Sequence, residues 1–125
     1  MNNNAMLLAN AYKISNNPEF LEYAKEHVNY CLGKNSLGKC FITGYGTDGV
    51  ETPHHRPSMA QGKALPGMIV GGPNKYLEDP TMKLGLTEEA PARCYLDDSE
   101  CFACNEVDIN WNSPLICAMS ELNMK

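Results

Sequence analysis

Glycine and proline are concentrated in the middle of this 125-residue chain. All ten glycines fall between Gly33 and Gly85, and six of the eight prolines fall between Pro53 and Pro91. Both residue types disfavour helix interiors, so long helices are expected only in the flanking parts. An irregular stretch of this length is uncommon in a compact domain and usually serves a function. The sequence therefore predicts an all-α fold of about three helices around a long, irregular, functional loop region.

Two of these helices are predicted before the glycine-rich region. In the second one, Asn17 is a suitable cap, Pro18 suits the first helical position, and Gly33 is a good stop after about Leu32. The first helix includes or closely follows the start of the chain, because apolar residues recur there every three or four positions. These residues are Ala5, Leu8, Ala9 and Tyr12.

A third helical segment is predicted over about residues 105–123. Pro114 must either kink it or mark a new start capped by Asn112 or Ser113. Each of the three helices has one apolar face that needs a neighbour, so together with a long loop they make a poor independent fold.

Composition restricts the partners of the chain. The net charge is −5, and no basic cluster exceeds one or two residues, which argues against nucleic acid and against an anionic membrane surface. The longest apolar runs, residues 67–70 and 115–119, are too short to span a bilayer. The first residues, Met1 and three asparagines, do not resemble a secretory signal. At this length we expect at most one domain.

Six cysteines leave the redox state open. An even number permits three disulfides, and Cys101 and Cys104 have the spacing of half a zinc site. A zinc site usually needs a second matched pair, which the sequence lacks, so reduced thiols packed as small apolar residues are favoured over zinc. The cysteines are Cys31, Cys40, Cys94, Cys101, Cys104 and Cys117.

The C-terminal third combines carboxylates, amides and aromatic rings. Asp97 and Glu106 lie nine positions apart, and a carboxyl near apolar rings tends to keep its proton, as a general acid must. Rings offer a flat face on which a sugar can stack, and amides bond its hydroxyl groups. The combination therefore indicates a carbohydrate site. Its members are Tyr95, Asp97, Phe102, Asn105, Glu106, Trp111, Asn112 and Ser113.

This segment, together with a second polar cluster at residues 53–56, resembles the two signature regions of the glycoside hydrolase family 9 cellulases. Further similar motifs follow in the family's order over nearly the whole chain. The resemblance identifies residues 1–125 as a C-terminal fragment of the catalytic domain, and it implies an (α/α)6 barrel of which this chain is the last part. The supporting segments are residues 4–9, 30–38, 41–46, 66–67, 71–74 and 105–107.

The resemblance implies hydrolysis of β-1,4-glucosidic bonds with inversion, and it makes Glu106 the proton donor. Considered alone, Glu106 would more often be a helix-start glutamate stabilised by the helix dipole. Asp97 matches the second acidic position of the signature and would hold the acid or a hydrogen bond of the cleft in place. It could instead cap the turn that contains it. Asp108 departs from the family pattern, which usually has a small residue there.

The remaining implied site residues would bind substrate. His54 and Arg56 match the histidine and arginine that contact sugar hydroxyls, a task that suits the fixed donors of a guanidinium. Trp111, the only tryptophan, would either stack on a glucosyl unit or pack in the core. Tyr45, in a glycine-flanked turn, is a weaker stacking candidate.

The family's catalytic base, an aspartate in an Asp-Ala-Gly-Asp type motif, has no counterpart in this sequence. We therefore expect the chain to need the remainder of the catalytic domain and to be inactive alone. The chemistry needs no cofactor and no metal in this chain, although structural calcium is compatible with the full domain. The aspartates that make no convincing substitute for the base are Asp48, Asp79, Asp97, Asp98 and Asp108.

The resemblance implies an extracellular protein with a β-1,4-glucan as its partner, and neither a nucleic acid nor a membrane. A different class of function is the alternative: a small, stand-alone Cys/His protein that binds a metal or a carbohydrate. Such a protein would fold as a stable monomer, whereas a fragment of a larger domain would fold poorly alone.

Overall fold

The computed structural model describes residues 2–87 and 90–123. Within these ranges the chain is helical, and its extended segments pair only through isolated bridges. No helix in the described part has the length and apolar character needed to cross a membrane. The helices are α1 (Asn2–Ser15), α2 (Pro18–Cys31), α3 (Arg56–Gln61), α4 (Pro80–Gly85), α5 (Phe102–Asn105) and α6 (Ile109–Asn123), with a 3₁₀ turn at Pro91–Arg93.

Helices α1, α2 and α6 pack against one another and form the main layer of the fold. The predicted start of α2 is confirmed, because the Asn17 side chain accepts a hydrogen bond from the Glu19 amide and Pro18 is the first helical residue. Gly33 follows the helix with a positive φ of 116°, as expected of a glycine stop. The face that α2 buries consists of Leu21, Ala24, Val28 and Cys31.

The third predicted helix begins later than expected. Residues 106 and 107 are extended, and α6 starts only at Ile109. Asp108 accepts the first turn's hydrogen bonds, through its side chain from the Asn110 amide and through its carbonyl from the Trp111 amide. Pro114 lies inside this helix, so the prediction of a new start capped by Asn112 or Ser113 was wrong.

The glycine-rich region is more ordered than its composition suggested. It contains α3 and α4, and two of its segments pair with each other and with the stretch that follows α5. Gly44 and Gly46 both have positive φ, and an added Cβ on Gly44 would meet Pro66 at 2.7 Å. These tight turns let the region fold back on itself. Its bridges are Cys40 with Gly49, Ile42 with Ile69, His54 with Glu106, and Val70 with Val107.

The hydrophobic core lies between the helical layer and the folded-back region. Phe41 is central to it, with its ring in edge contact with Tyr95 at 5.1 Å between centroids and tilted against Tyr30 at 6.1 Å. Val70 and Leu115 add apolar side chains from the loop region and from α6. The core therefore fixes the loop region, and with it the predicted site, relative to the helices.

Candidate active site

Glu106 is held by its backbone between two segments that are distant in sequence. It directly follows α5, in an extended conformation with φ −71° and ψ 145°. On one side the His54 amide donates to the Asn105 carbonyl at 2.8 Å, and on the other the Gly71 amide donates to the Glu106 carbonyl at 3.2 Å. Glu106 is therefore not a helix-start residue, and the helix dipole does not explain its presence.

The carboxyl group of Glu106 has no partner among residues 2–87 and 90–123. Its side chain is half-buried, and none of the described residues donates a hydrogen bond to it or forms an ion pair with it. A carboxyl group that has no protein partner, on a backbone fixed by hydrogen bonds, is suited to bind a ligand.

Asp97 is surrounded by donors. Its carboxylate accepts hydrogen bonds from the backbone amides of Glu51 at 2.8 Å and Thr52 at 2.9 Å, and it pairs with the Lys39 ammonium at 3.2 Å. Burial alone would raise the pKa of Asp97, but these amide donors and Lys39 together hold the pKa below its usual range. Asp97 is therefore an ionised brace between the loop region and the segment before α5.

Asn105 extends this brace to the residue next to Glu106. The Asn105 side chain is fully buried, and its amide nitrogen donates to the Thr52 carbonyl at 2.7 Å, the Asp98 carbonyl at 3.2 Å and the Asp97 carboxylate at 3.3 Å. Its oxygen accepts from the Tyr95 hydroxyl. Asn105 and Tyr95 both belong to the predicted carbohydrate motif, but no role was predicted for either. The one sequence signal for this hydrogen-bond network was the clustering of amide and carboxylate residues around Glu106.

Asp98 and Asp108 have separate structural roles. Asp98 is exposed and accepts a hydrogen bond from the Glu100 amide at 2.8 Å, so this residue, and not Asp97, caps the turn. Asp108 is occupied at the start of α6 by the Asn110 amide at 2.6 Å. Each carboxylate therefore has a local structural role through one of its oxygens.

His54 lies beside Glu106, because the two residues form a parallel bridge. The Nδ1 atom of His54 contacts the Ser99 carbonyl oxygen, which can only accept, so Nδ1 carries the proton. In the neutral ring this leaves Nε2 as an acceptor. His54 also meets the Phe102 ring edge-on, with 6.2 Å between centroids. The imidazole is thus fixed in orientation.

Arg56 is the first residue of α3 and is exposed. Among the described residues its guanidinium has no hydrogen-bond or salt-bridge partner. Its neighbour His55 is occupied instead, with Nδ1 at 2.9 Å from the Ser58 hydroxyl. All the donors of Arg56 are therefore available to a ligand two residues along the chain from His54.

Trp111 is half-buried and packs against the core from the first turn of α6. A Cβ at Gly71 would lie 3.1 Å from the indole ring, so the ring rests directly on the backbone segment that holds Glu106. The ring also lines a cavity of about 430 Å³, which Glu106 and His54 do not line. Trp111 therefore packs against the core, which was one of its two predicted roles, and part of its surface faces the cavity.

Tyr45 lies in the turn between Gly44 and Gly46 and is 58% exposed. No hydrogen bond or ion pair of its hydroxyl is present in the described part of the structure. In the described part of the structure, no hydrogen bond or ring contact joins Tyr45 to Glu106 or His54.

The cysteines are free thiols in this structure, with Cys117 half-buried and the other five buried. Across residues 2–87 and 90–123, no three His, Cys, Asp or Glu side chains are placed to hold a metal ion. The arrangement thus offers the Glu106 carboxyl, without a partner among the described residues, beside the fixed imidazole of His54. Such a group can donate a proton to a bound polar ligand.

The sequence of this chain is similar to those of known proteins. The model for glycosyl hydrolase family 9 matches residues 1–119. The chain belongs to glycosyl hydrolase family 9. It is 33% identical over 118 residues to a cellulose 1,4-beta-cellobiosidase of Acetivibrio thermocellus and 36% identical over 121 residues to a cellodextrinase of Butyrivibrio fibrisolvens.

The structural likeness is equally extensive. A family 9 endoglucanase named J30 superposes with a TM-score of 0.89 at 33% identity, over 94% of this chain and 22% of that one. This confirms the predicted fold class, a part of an (α/α)6 barrel. The two relatives are matched over 90% and 92% of this chain, but the chain spans only 13% and 22% of their lengths.

Proposed function

We propose that this chain supplies the general acid and part of the substrate cleft of a β-1,4-glucan hydrolase that inverts configuration. Family membership favours a hydrolase over the alternative of a stand-alone metal- or carbohydrate-binding protein. The relatives named as a cellobiosidase and a cellodextrinase support cellulose or a related glucan as the substrate.

One observation carries the assignment of Glu106 as proton donor. Glu106 is fixed by backbone hydrogen bonds on two sides, and its carboxyl has no partner in the described part of the chain. The carboxylates of Asp97, Asp98 and Asp108, in contrast, each accept hydrogen bonds. Glycoside hydrolysis needs an acid that protonates the leaving oxygen, and this acid must be able to reach the substrate. Among these carboxyl groups, Glu106 alone meets that requirement.

Asp97 serves as a positioning residue in this proposal. Its lowered pKa keeps it ionised. Its carboxylate holds Thr52, in the segment that contains His54, and Asn105, the residue directly before Glu106. A carboxylate held by several donors is a poor base, because accepting a proton would cost it those contacts.

His54, Arg56, Trp111 and Tyr45 would bind the glucan. His54, which is paired with Glu106, offers an acceptor, and Arg56, two residues further along the chain, offers several donors suited to hydroxyl groups. Trp111 would contribute its open ring surface, and the exposed ring of Tyr45 would contact more distant sugar units.

The catalytic base would come from another part of the catalytic domain. In an inverting enzyme the two carboxyl groups stand about 6.5–9.5 Å apart, with a water between them. Asp97, Asp98 and Asp108 are each engaged elsewhere, so we expect this chain alone to bind glucan weakly and not to hydrolyse it. Residues 1–125 would thus be a fragment of a catalytic domain.

Cofactor and location follow the same proposal. The acid and base chemistry needs no cofactor. Structural calcium is compatible with the full domain. The enzyme would act outside the cell, because a glucan polymer does not cross a membrane.

The direct experiment is hydrolysis of carboxymethyl cellulose by the purified chain, alone and mixed with the N-terminal part of a related family 9 catalytic domain. We expect no reducing sugar from the chain alone, release of sugar by the mixture, and loss of that release in Glu106→Gln. Activity of the unmixed chain that Glu106→Gln abolishes would contradict the assignment of the base to another part of the domain. Asp97 would then be the first residue to test as the base.

A further inference from the structure

Two buried cysteines face each other immediately before Glu106. The Sγ atoms of Cys101 and Cys104 lie 2.8 Å apart, and both side chains are completely buried. They bracket α5, since Cys101 precedes its first residue and Cys104 lies in its only turn. A disulfide bond is about 2.0 Å long, so the two sulfurs need to approach by only about 0.8 Å to form one.

The surroundings keep both sulfurs in this position. The Cys101 thiol donates to the buried Asp79 carboxylate at 3.3 Å, and the Leu96 amide donates to the Cys104 sulfur at 3.4 Å. Asp79 is itself fixed by the Met82 amide at 2.6 Å and the Ala103 amide at 3.0 Å. The pair is therefore held by two other segments of the chain, one with Asp79 and Met82 and one with Leu96.

We propose that Cys101 and Cys104 form an intramolecular disulfide that closes the turn bearing the candidate acid. The two thiols lose two protons and two electrons as the S–S bond forms. A small disulfide such as oxidised glutathione accepts the electrons and is released as two thiols. The reaction passes through a mixed disulfide on one cysteine, which the second cysteine then displaces.

Burial sets the timing of this reaction. It raises the pKa of both thiols, and the contact with Cys104 raises that of Cys101 further. Since the thiolate is the attacking species, the bond forms while the α5 turn is open during folding, and the closed structure then shields it from reductants. The cross-linked turn also carries the Cys104 carbonyl, which accepts from the Gly72 amide at 2.8 Å. The disulfide therefore stiffens the support of Glu106.

Thiol mapping by mass spectrometry tests the proposal. The chain is folded in a glutathione redox buffer, denatured, and alkylated without reductant. We expect four alkylated cysteines and an internal disulfide in the tryptic peptide 94–125, which contains Cys94, Cys101, Cys104 and Cys117. Fragmentation of this peptide should place the cross-link between Cys101 and Cys104. Cys101→Ser and Cys104→Ser should each lose the cross-link, whereas Cys117→Ser should keep it. Six alkylated cysteines, or a cross-link between other cysteines, would overturn the proposal.

Cysteines only three positions apart can form a disulfide even in an unfolded chain. A second measurement therefore asks how much the fold itself favours the bond between Cys101 and Cys104. The glutathione ratio at half-oxidation of the pair is measured in buffer and in concentrated urea. Because the structure holds the sulfurs together, the equilibrium constant for disulfide formation should be about tenfold or more larger in buffer. Equal constants in the two conditions would show that the fold does not favour the bond. Neither measurement involves glucan hydrolysis, so their failure leaves the proposed function untouched.

Discussion

At the scale of single residues, Glu106 and Asp97 are both carboxylates of one sequence motif but have opposite surroundings. Their importance could be read from the aromatic and amide residues around them. Their roles could not, because Asp97 is defined by donors some 45 residues earlier, at Glu51 and Thr52. The same holds for Asn105, whose polar atoms are all satisfied by residues that sequence periodicity cannot bring together.

Replacing Asp97 should destabilise the fold in a pH-dependent manner. Asp97→Asn removes the charge that the Glu51 and Thr52 amides and Lys39 hold in place. We expect a loss of about 2 to 3 kcal/mol in the free energy of unfolding at pH 7, measured by urea denaturation with Trp111 fluorescence.

The sign of the pH dependence follows from the lowered pKa of Asp97 in the folded state. The stabilisation by its charge is complete above the unfolded pKa of about 3.9 and is lost as the pH falls through the lower folded value. The difference between the natural chain and Asp97→Asn should therefore shrink below about pH 4. Asp98→Asn, which changes an exposed turn residue, is the matched control. A constant difference at all pH values would contradict this role of Asp97.

At the scale of elements, the start of α6 shows where local sequence signals end. The capping of α2 and the presence of a helix over most of residues 109–123 were predicted from sequence. The extended conformation of residues 106–107 was not, since it depends on pairing with residues 54 and 70. Asn112 provides a further long-range tie, as its side chain both accepts from the Ile69 amide at 2.9 Å and donates to the Ile69 carbonyl at 3.2 Å.

Breaking this tie should loosen the segment that supports Glu106. Asn112→Ala leaves the Ile69 amide and carbonyl without their partner, so we expect a loss of about 1 to 3 kcal/mol in the free energy of unfolding. Faster hydrogen exchange at residues 69–72 would locate the effect. The exposed neighbour Ser113, changed to alanine, should alter stability by less than about 0.5 kcal/mol. Equal effects of the two substitutions would argue against a specific role for Asn112.

At the scale of the whole molecule, large apolar side chains remain outside the core. Ile14 on α1 is 87% exposed, and Ile109 and Ile116 on α6 are 82% and 68% exposed. The fold class was predictable because the first helices were evident from their periodicity and cap, and because the resemblance to family 9 implied a part of an (α/α)6 barrel. The arrangement of the middle region was not, because its turns and bridges join segments far apart in sequence. This chain spans 13% and 22% of the lengths of two relatives, and the exposed apolar side chains agree with surfaces that the remaining parts of such proteins would cover.

These apolar side chains should make the isolated chain associate with itself. We expect the average mass in sedimentation velocity to rise with concentration. It should fall toward that of a monomer in a variant with Ile14→Lys and Ile116→Lys. Lys25→Glu, on a polar part of α2, is a control that should leave association unchanged. A monomer at all concentrations would show that the chain does not require a covering partner.

The assignment of Glu106 as the proton donor is tested most directly by varying the leaving group of the substrate. In the mixture with the N-terminal part of a family 9 domain, Glu106→Gln should lower hydrolysis of carboxymethyl cellulose by about 10² to 10⁴-fold. The same variant should retain most of its activity on a 2,4-dinitrophenyl β-cellobioside, whose leaving group departs without protonation. An equal loss on both substrates would contradict the role of Glu106 as the acid.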